Sequence, residues 1–178
     1  MSLTVADAVH AAERLWPKTG AEDWDAPGLQ VGRLANPLSR VLLVVDVVAQ
    51  TVAEAVSGKY DLVVAHHPLL LSGVTSVAED SYKGALIGEL IRNDIALLVA
   101  HTNADVVVDG VSDVLAQSLG LIKTTPIEPT VSASIGLGRV GELAQPTTLG
   151  QLATDVARVL PATATGVQVA GDFGKKVQ

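Results

Sequence analysis

The 178-residue chain contains no cysteine, one methionine and, among aromatic residues, only two Trp, two Tyr and one Phe. Without cysteine a disulfide scaffold is excluded. The aromatics (Trp16, Trp24, Tyr60, Tyr82, Phe173) are too few for a base-stacking platform. A net charge of −7, a pI near 4.9 and the lack of any long Lys/Arg run mean that a phosphate backbone is repelled, so nucleic acid is not an expected partner. No stretch approaches the roughly 18 apolar residues of a membrane span. The opening MSLTVADAVHAAERLW has neither the basic start nor the unbroken apolar stretch of a signal peptide, so no membrane and a cytoplasmic address are expected. What the chain has is 48% hydrophobic residues, which excludes disorder and supports one good core or two small ones. That core is built from Val, Leu, Ile and Ala, the usual filling of a buried parallel sheet.

Periodicity divides the chain into alternating elements. Val5, Ala8, Val9, Ala12 and Leu15 follow helical spacing after a candidate cap at Thr4, and Pro17 ends the run. A Gly/Pro/Asp-rich loop, 18–32, contains WDAPGLQVG. VLLVVDVV (41–48), DLVVA (61–65) and IALLVA (95–100) are continuous rather than alternating, which suits strands covered on both faces. Between and after them, 50–57, 82–94 and 110–119 read as helices, the last with Ser112 as a candidate cap and Gly120 as its stop. Strand and helix alternate, which predicts an α/β fold: a parallel-sheet βαβ core with helices on both faces. A Pro/Thr-rich stretch, 124–130, reads as a linker, so the expected division is a metal-site domain over 1–123 and the start of a second, partial α/β unit over 124–178. In that second part SIGLGRVGEL alternates like an antiparallel or edge strand, 148–160 is a helix with Thr148 as candidate cap, and GVQVA reads as a last strand. GKKVQ then stops without a cap or a closing element, so the chain reads as a shortened form of a longer protein.

Ligands of open α/β sheets bind beyond the carboxyl ends of the strands. Polar residues interrupt the apolar runs at those ends: Asp46 after VLLVV, His66 and His67 after LVVA, and His101 after ALLVA, followed by Thr102, Asn103 and Asp105. Three of the four histidines stand at strand exits that a parallel sheet brings together. Imidazole nitrogens and carboxylate oxygens are the ligand set of zinc, iron or manganese. Neighbours on a regular strand point to opposite faces, so His66 and His67 share one ion only if the chain bends into the Pro68 turn; otherwise each holds one of two ions. Asp105 can bridge two ions, while His101 or Asp46 can work behind the ligands. A lone histidine at a strand end reads as structural; the adjacent pair with His101 and Asp105 reads as a metal site. Asp46 has two open readings, a site residue or a cap of the next helix. His10 lies within a helix, on a surface or interface, and Asp109 and Asp113 are loop and helix-start charges. GLGRVG (136–141) lacks the G-x-G-x-x-G spacing and the preceding buried strand of a dinucleotide loop.

HHPLLLSGVTSV, KGALIGELIRN, AHTNAD and GVSDVLAQSLGL, in this order, resemble the Ngg-one-interacting-factor-three-like (NIF-three-like) family, whose bacterial members are labelled GTP cyclohydrolase 1 type 2 homologs. The resemblance extends to WDAPGLQVG, Asp46 and GLGRVGEL, and so covers nearly the whole chain. It implies a dinuclear centre of two divalent ions inside a ring-shaped homo-oligomer, a hexamer. His66, His67 and Asp105 are then metal ligands, with His101 lining the same pocket. Two departures stand out: no histidine follows His101, where the family completes its site with a C-terminal His-x-x-x-Glu pair, and Ala26 occupies a position where Asn is usual.

The function expected from these residues is a metal-dependent hydrolase in which two ions activate a water, with His101 and Asp46 as catalytic groups and a small molecule as substrate. The family label points to ring opening of a GTP-like purine; phosphoester hydrolysis fits the same ions equally well. The alternatives are a non-catalytic metal-binding ring that serves as a scaffold or regulatory hub, and a metal-handling chaperone.

Overall fold

Strict alternation inside two apolar runs builds the central sheet of the computed structural model, which describes residues 2–178, the side chain of Val131 excepted. Strands β2 (Val41–Val44), β3 (Leu62–Ala65) and β4 (Ala96–Val99) are parallel, and β1 (Gly28–Val31) joins β4 antiparallel, giving the order β1-β4-β3-β2. Leu62, Ala96 and Leu98 turn to one face, where Val5, Ala8, Val9 and Ala12 of α1 (Val5–Leu15) cover them. Val63, Ala65, Leu97 and Val99 turn to the other, under Val52 and Ala55 of α2 (Ala49–Ser57) and Leu86, Ile87 and Leu90 of α3 (Tyr82–Arg92). The sheet therefore carries helices on both faces, and burying each of these Val, Leu and Ile side chains contributes roughly 1.5–3 kcal/mol.

The edge strand β2 departs from the expected double cover. Leu42 and Val44 pack toward α2 and α3, but Leu43 is 74% exposed and Val41 and Val45 are exposed with it. β1 departs too: it is a strand within the stretch that composition marks as loop. Gly32 ends it with φ +101°, and a Cβ there would lie 2.7 Å from the Ala96 Cα. Only glycine permits that backbone angle together with so close an approach.

Contacts divide the chain into two compact units, Met1–Ala104 and Asp105–Gln178. The short helix α4 (Thr102–Val106) runs across the division. The second unit holds α5 (Val111–Ser118), the antiparallel pairs β5–β8 (Leu121–Thr125, Val140–Leu143) and β6–β7 (Glu128–Ser132, Ile135–Leu137), and α6 (Leu149–Val159). The expected linker is thus strand: its Thr and Ile residues suit a pleated ladder. Thr148 caps α6 through Gln151 N–H at 3.2 Å, as the spacing predicts. Ser112 does not cap α5; the helix begins after Gly110, and the Asp113 carboxylate accepts the Asp109 N–H at 2.8 Å. GVQVA is not a strand either. The short β9 (Thr147–Thr148) pairs instead with β10 (Lys176–Val177), and the carbonyls of Lys175 and Phe173 accept the Leu149 and Gly150 N–H groups at 2.9 and 3.0 Å. Arg139 fastens this unit: its buried guanidinium pairs with Asp113 and donates to the carbonyls of Gly136, Gly138 and Val107. Among the described residues no helix is long and apolar enough to cross a membrane.

Candidate metal centre

Parallel register places the candidate side chains. Val44 pairs with Ala65 and Ala65 with Val99, and the ladder continues beyond the strands: His66 N–H donates to Val44 O at 3.0 Å, His67 N–H to Val45 O at 2.8 Å, and Ala100 N–H to Ala65 O at 3.0 Å. Two positions past the last paired row, Asp46, His67 and His101 therefore share one row across three strands. His66 stands one position earlier, and its ring still joins the others. Ring centroids lie 5.1 Å apart for His66 and His67, 5.2 Å for His66 and His101, and 5.6 Å for His67 and His101. One ligating atom from each of the three lies within 4.8 Å of those of the other two. The chain bends at His66 and His67 themselves, just past the end of β3, so the adjacent histidines contribute to one cluster.

Each ring is held through Nδ1. His66 Nδ1 donates to the Ala100 carbonyl at 3.1 Å, His67 Nδ1 to Asp46 Oδ1 at 2.8 Å, and His101 Nδ1 to Asp25 Oδ1 at 2.9 Å. A carbonyl or carboxylate oxygen can only accept, so the proton of each neutral ring sits on Nδ1 and the lone pair on Nε2. Oxygen acceptors behind imidazoles are the usual arrangement at metal sites, where they fix both the ring and its tautomer. Asp46 thus turns its carboxylate to His67. The start of α2 is served instead by Thr51, whose Oγ1 accepts the Val48 N–H at 3.0 Å.

Asp25 has no counterpart among the residues singled out in the sequence. Its side chain is fully buried, and besides His101 it accepts the Thr102 hydroxyl, the Thr102 N–H at 3.0 Å and the Ala26 N–H at 2.7 Å. Burial pushes its carboxyl up, but the bonds from Thr102, His101 and the two backbone N–H groups outweigh it and hold the carboxyl below the ordinary range. Asn103 adds a second brace, accepting the His101 N–H at 2.9 Å and donating to Trp16 O at 2.7 Å. Gln30 ties the Asp25 loop to the loop after His67. It donates to Ala26 O and Leu70 O, both at 3.0 Å, and accepts Leu70 N–H at 2.9 Å. The one signal for Asp25 in the sequence is its place inside WDAPGLQVG. Asp105 lies on α4, four residues after His101, as the first residue of the second unit. His10 is exposed on α1 and is not among the clustered histidines.

A family model described as Duf34/NIF3 (NGG1p interacting factor 3) matches residues 3–178. A Streptomyces coelicolor protein named GTP cyclohydrolase 1 type 2 homolog is 50% identical over 171 residues, covering 94% of this chain and 60% of that protein. A Bacillus subtilis protein of the same name is 38% identical over 118 residues, covering 66% of this chain and 32% of that protein. The chain therefore spans 60% and 32% of the lengths of these two relatives. Among solved structures, a Bacillus cereus protein related to NIF3 superposes with a TM-score of 0.91 at 23% identity, over 99% of this chain and 75% of that one. A Staphylococcus aureus hypothetical protein gives 0.87 at 27% identity, over 99% and 70%. The first of these supports the fold alone.

Proposed function

The chain belongs to the Duf34/NIF3 family, and on that premise we propose that it is a divalent-metal-binding protein whose imidazole cluster serves a metal-dependent hydrolase. The observation that carries this reading is the convergence of His66, His67 and His101 to within 4.8 Å, each with Nδ1 committed to an oxygen acceptor. The donor set fits zinc, iron or manganese. Imidazole nitrogens around one tetrahedral zinc lie roughly 3.3 Å apart, so the cluster suits a single ion after slight closure, or two ions sharing it.

In the two-ion form we assign His66, His67 and Asp105 as ligands, with His101 as the further imidazole. When bound, the ions supply Lewis acidity and bring the pKa of water toward neutrality. The chain's own groups divide the remaining work by their exposure. Asp25, sealed from solvent, holds the Nδ1 proton of His101 and orients that ring. Asp46, with 61% of its side chain exposed, holds the Nδ1 proton of His67 and also reaches water, so it is assigned the proton transfers of hydrolysis. The substrate class is a small molecule with a polarised electrophile, either a phosphoester or the ring of a nucleotide; the relatives' name favours the latter. We extend the reading to a homo-oligomeric ring, a hexamer, supported by the apolar Val41, Leu43 and Val45 left on an uncovered sheet face.

Elemental analysis of protein purified without added metal tests the first step. The expected result is at least one divalent ion per chain, lost in His66→Ala; wild-type protein holding far less than one ion overturns the reading. Turnover of phosphoesters and nucleotides with added zinc, iron or manganese tests the second, with Asp46→Ala expected to abolish it even at metal concentrations that saturate the variant, which offset the weaker hold on His67. A metal-loaded ring without turnover on any of these substrates identifies the scaffold instead.

A further inference from the structure

Trp24 stands next to the imidazole cluster and has no part in holding any of its rings through Nδ1. Its ring lies 5.9 Å from that of His101 at 77°, the outermost member of a chain of rings that continues to His66 and His67. It is nevertheless 58% exposed, one of only two Trp in the chain. A scattered exposed apolar side chain needs no explanation; this one differs in how it is held. Its neighbour Asp25 is anchored by Thr102 and His101, the Glu22 N–H donates to Thr102 Oγ1 at 3.0 Å, the Asp25 N–H to Glu22 O at 3.0 Å, and Gln30 grips the Ala26 carbonyl. The loop bonds on both sides of Trp24 fix its backbone, so the indole is presented rather than merely left out.

We propose that Trp24 is a substrate-recognition residue that stacks on a planar, electron-poor heterocycle and holds it beside His66, His67 and His101. The inference rests on the reading of that cluster as the reacting centre. An electron-rich indole gains most from an offset-stacked planar ring. The flanking Glu22 and Asp23 add negative charge to the same loop, which favours an uncharged or electron-poor ring over an anionic group at this point. A purine-like base meets these requirements, whereas a bare sugar or a simple alkyl phosphoester offers no face to the indole.

The test uses inosine and ribose, which share the sugar and differ in the planar ring. In a Trp16→Phe background, where Trp24 is the sole indole, the whole chain is titrated with each compound, with and without zinc, following Trp emission. Saturable quenching by inosine and none by ribose is expected. Trp24→Ala, followed by calorimetry, should bind inosine roughly tenfold more weakly, within the range a stacked base contributes. Trp24→Phe, which keeps a ring, should lose less. Metal content should be the same in all three, so loss of metal from the wild type counts against the metal reading alone. The proposal is overturned if inosine does not bind, if ribose binds as tightly, or if Trp24→Ala binds inosine as wild type does with its circular dichroism unchanged.

Discussion

Asp25 and His101 are joined through Oδ1 and Nδ1 at 2.9 Å across 76 positions of sequence, and the Asp25 side chain has no exposed surface. The same carboxylate collects the hydroxyl and the N–H of Thr102, so it sets the ring of His101 and the first turn of α4 together. Asp25→Asn keeps the shape but turns an amide N–H toward groups that are themselves donors. Metal affinity is expected to fall about 10- to 100-fold, the usual cost of losing an oxygen acceptor behind a ligating imidazole, and stability by about 1–3 kcal/mol from donors left unpaired. Competition against a chromogenic chelator and a urea melt read the two effects; an unchanged chelator titration would remove Asp25 from the site.

Acid should loosen the second unit through one ion pair. The Arg139 guanidinium holds the Asp113 carboxyl below its ordinary value, against an opposing push from burial and with help from the Asp109 N–H. A carboxyl whose folded pKa is depressed contributes stability in full above its unfolded value near 3.9, and that contribution drains away as pH falls through the lower folded value. Thermal melts from pH 5 downward should therefore show a steeper loss for wild type than for Asp113→Asn, which starts less stable and lacks this titration. Parallel curves for the two proteins would show that the pair adds no pH dependence.

Much of this arrangement was legible in the residues. DLVVA and IALLVA are buried on both faces and have no other reading than central strands, so the polar residues just beyond them had to meet at one sheet end. That alone brings His67, His101 and Asp46 into one row. Asp25 was not legible, because its loop is irregular and its partners lie on another element far along the chain. GLQV was hidden for a related reason: three residues between two glycines carry too little periodicity to separate a strand from a loop. VLLVV misled in the opposite direction. Its composition matches a central strand, and only the limited reach of α1 across the sheet leaves Leu43 and its neighbours uncovered. GVQVA has strand composition, yet the short strand of its unit near that end, Thr147–Thr148, pairs with Lys176–Val177 instead. Strand formation there is decided by partners, not by the segment.

Gly32 should resist replacement for two separate reasons. At φ +101° an L-residue is strained whatever surrounds it, and here the added Cβ also meets the Ala96 backbone on the neighbouring strand. Neither β1 nor β4 can move aside without opening their ladder. Gly32→Ala is expected to destabilise the protein by about 1–3 kcal/mol, lowering Tm by several degrees. A Tm within a degree of wild type would mean that β1 shifts freely, and that the Asp25 loop leading into it is not held by the sheet.

Leu43 and Leu97 offer a direct contrast between two leucines of one sheet. Leu97 is fully buried under α2 and α3, and Leu97→Ala removes packed methyl groups with no room for collapse, at a cost of about 2–5 kcal/mol. Leu43 projects from β2 beyond the cover of α1 and is 74% exposed, so Leu43→Glu removes little intramolecular packing and should change monomer stability by less than about 0.5 kcal/mol. Its effect should appear in association instead. An apolar stripe on an unpaired edge is the kind of surface that draws a second chain, and a charge placed in it opposes that contact. Sedimentation of wild type and Leu43→Glu at matched concentration should therefore show a smaller species for the variant, while their urea midpoints coincide. Should the midpoints separate while the sedimentation profiles agree, the stripe is part of the chain's own core and not a contact between copies.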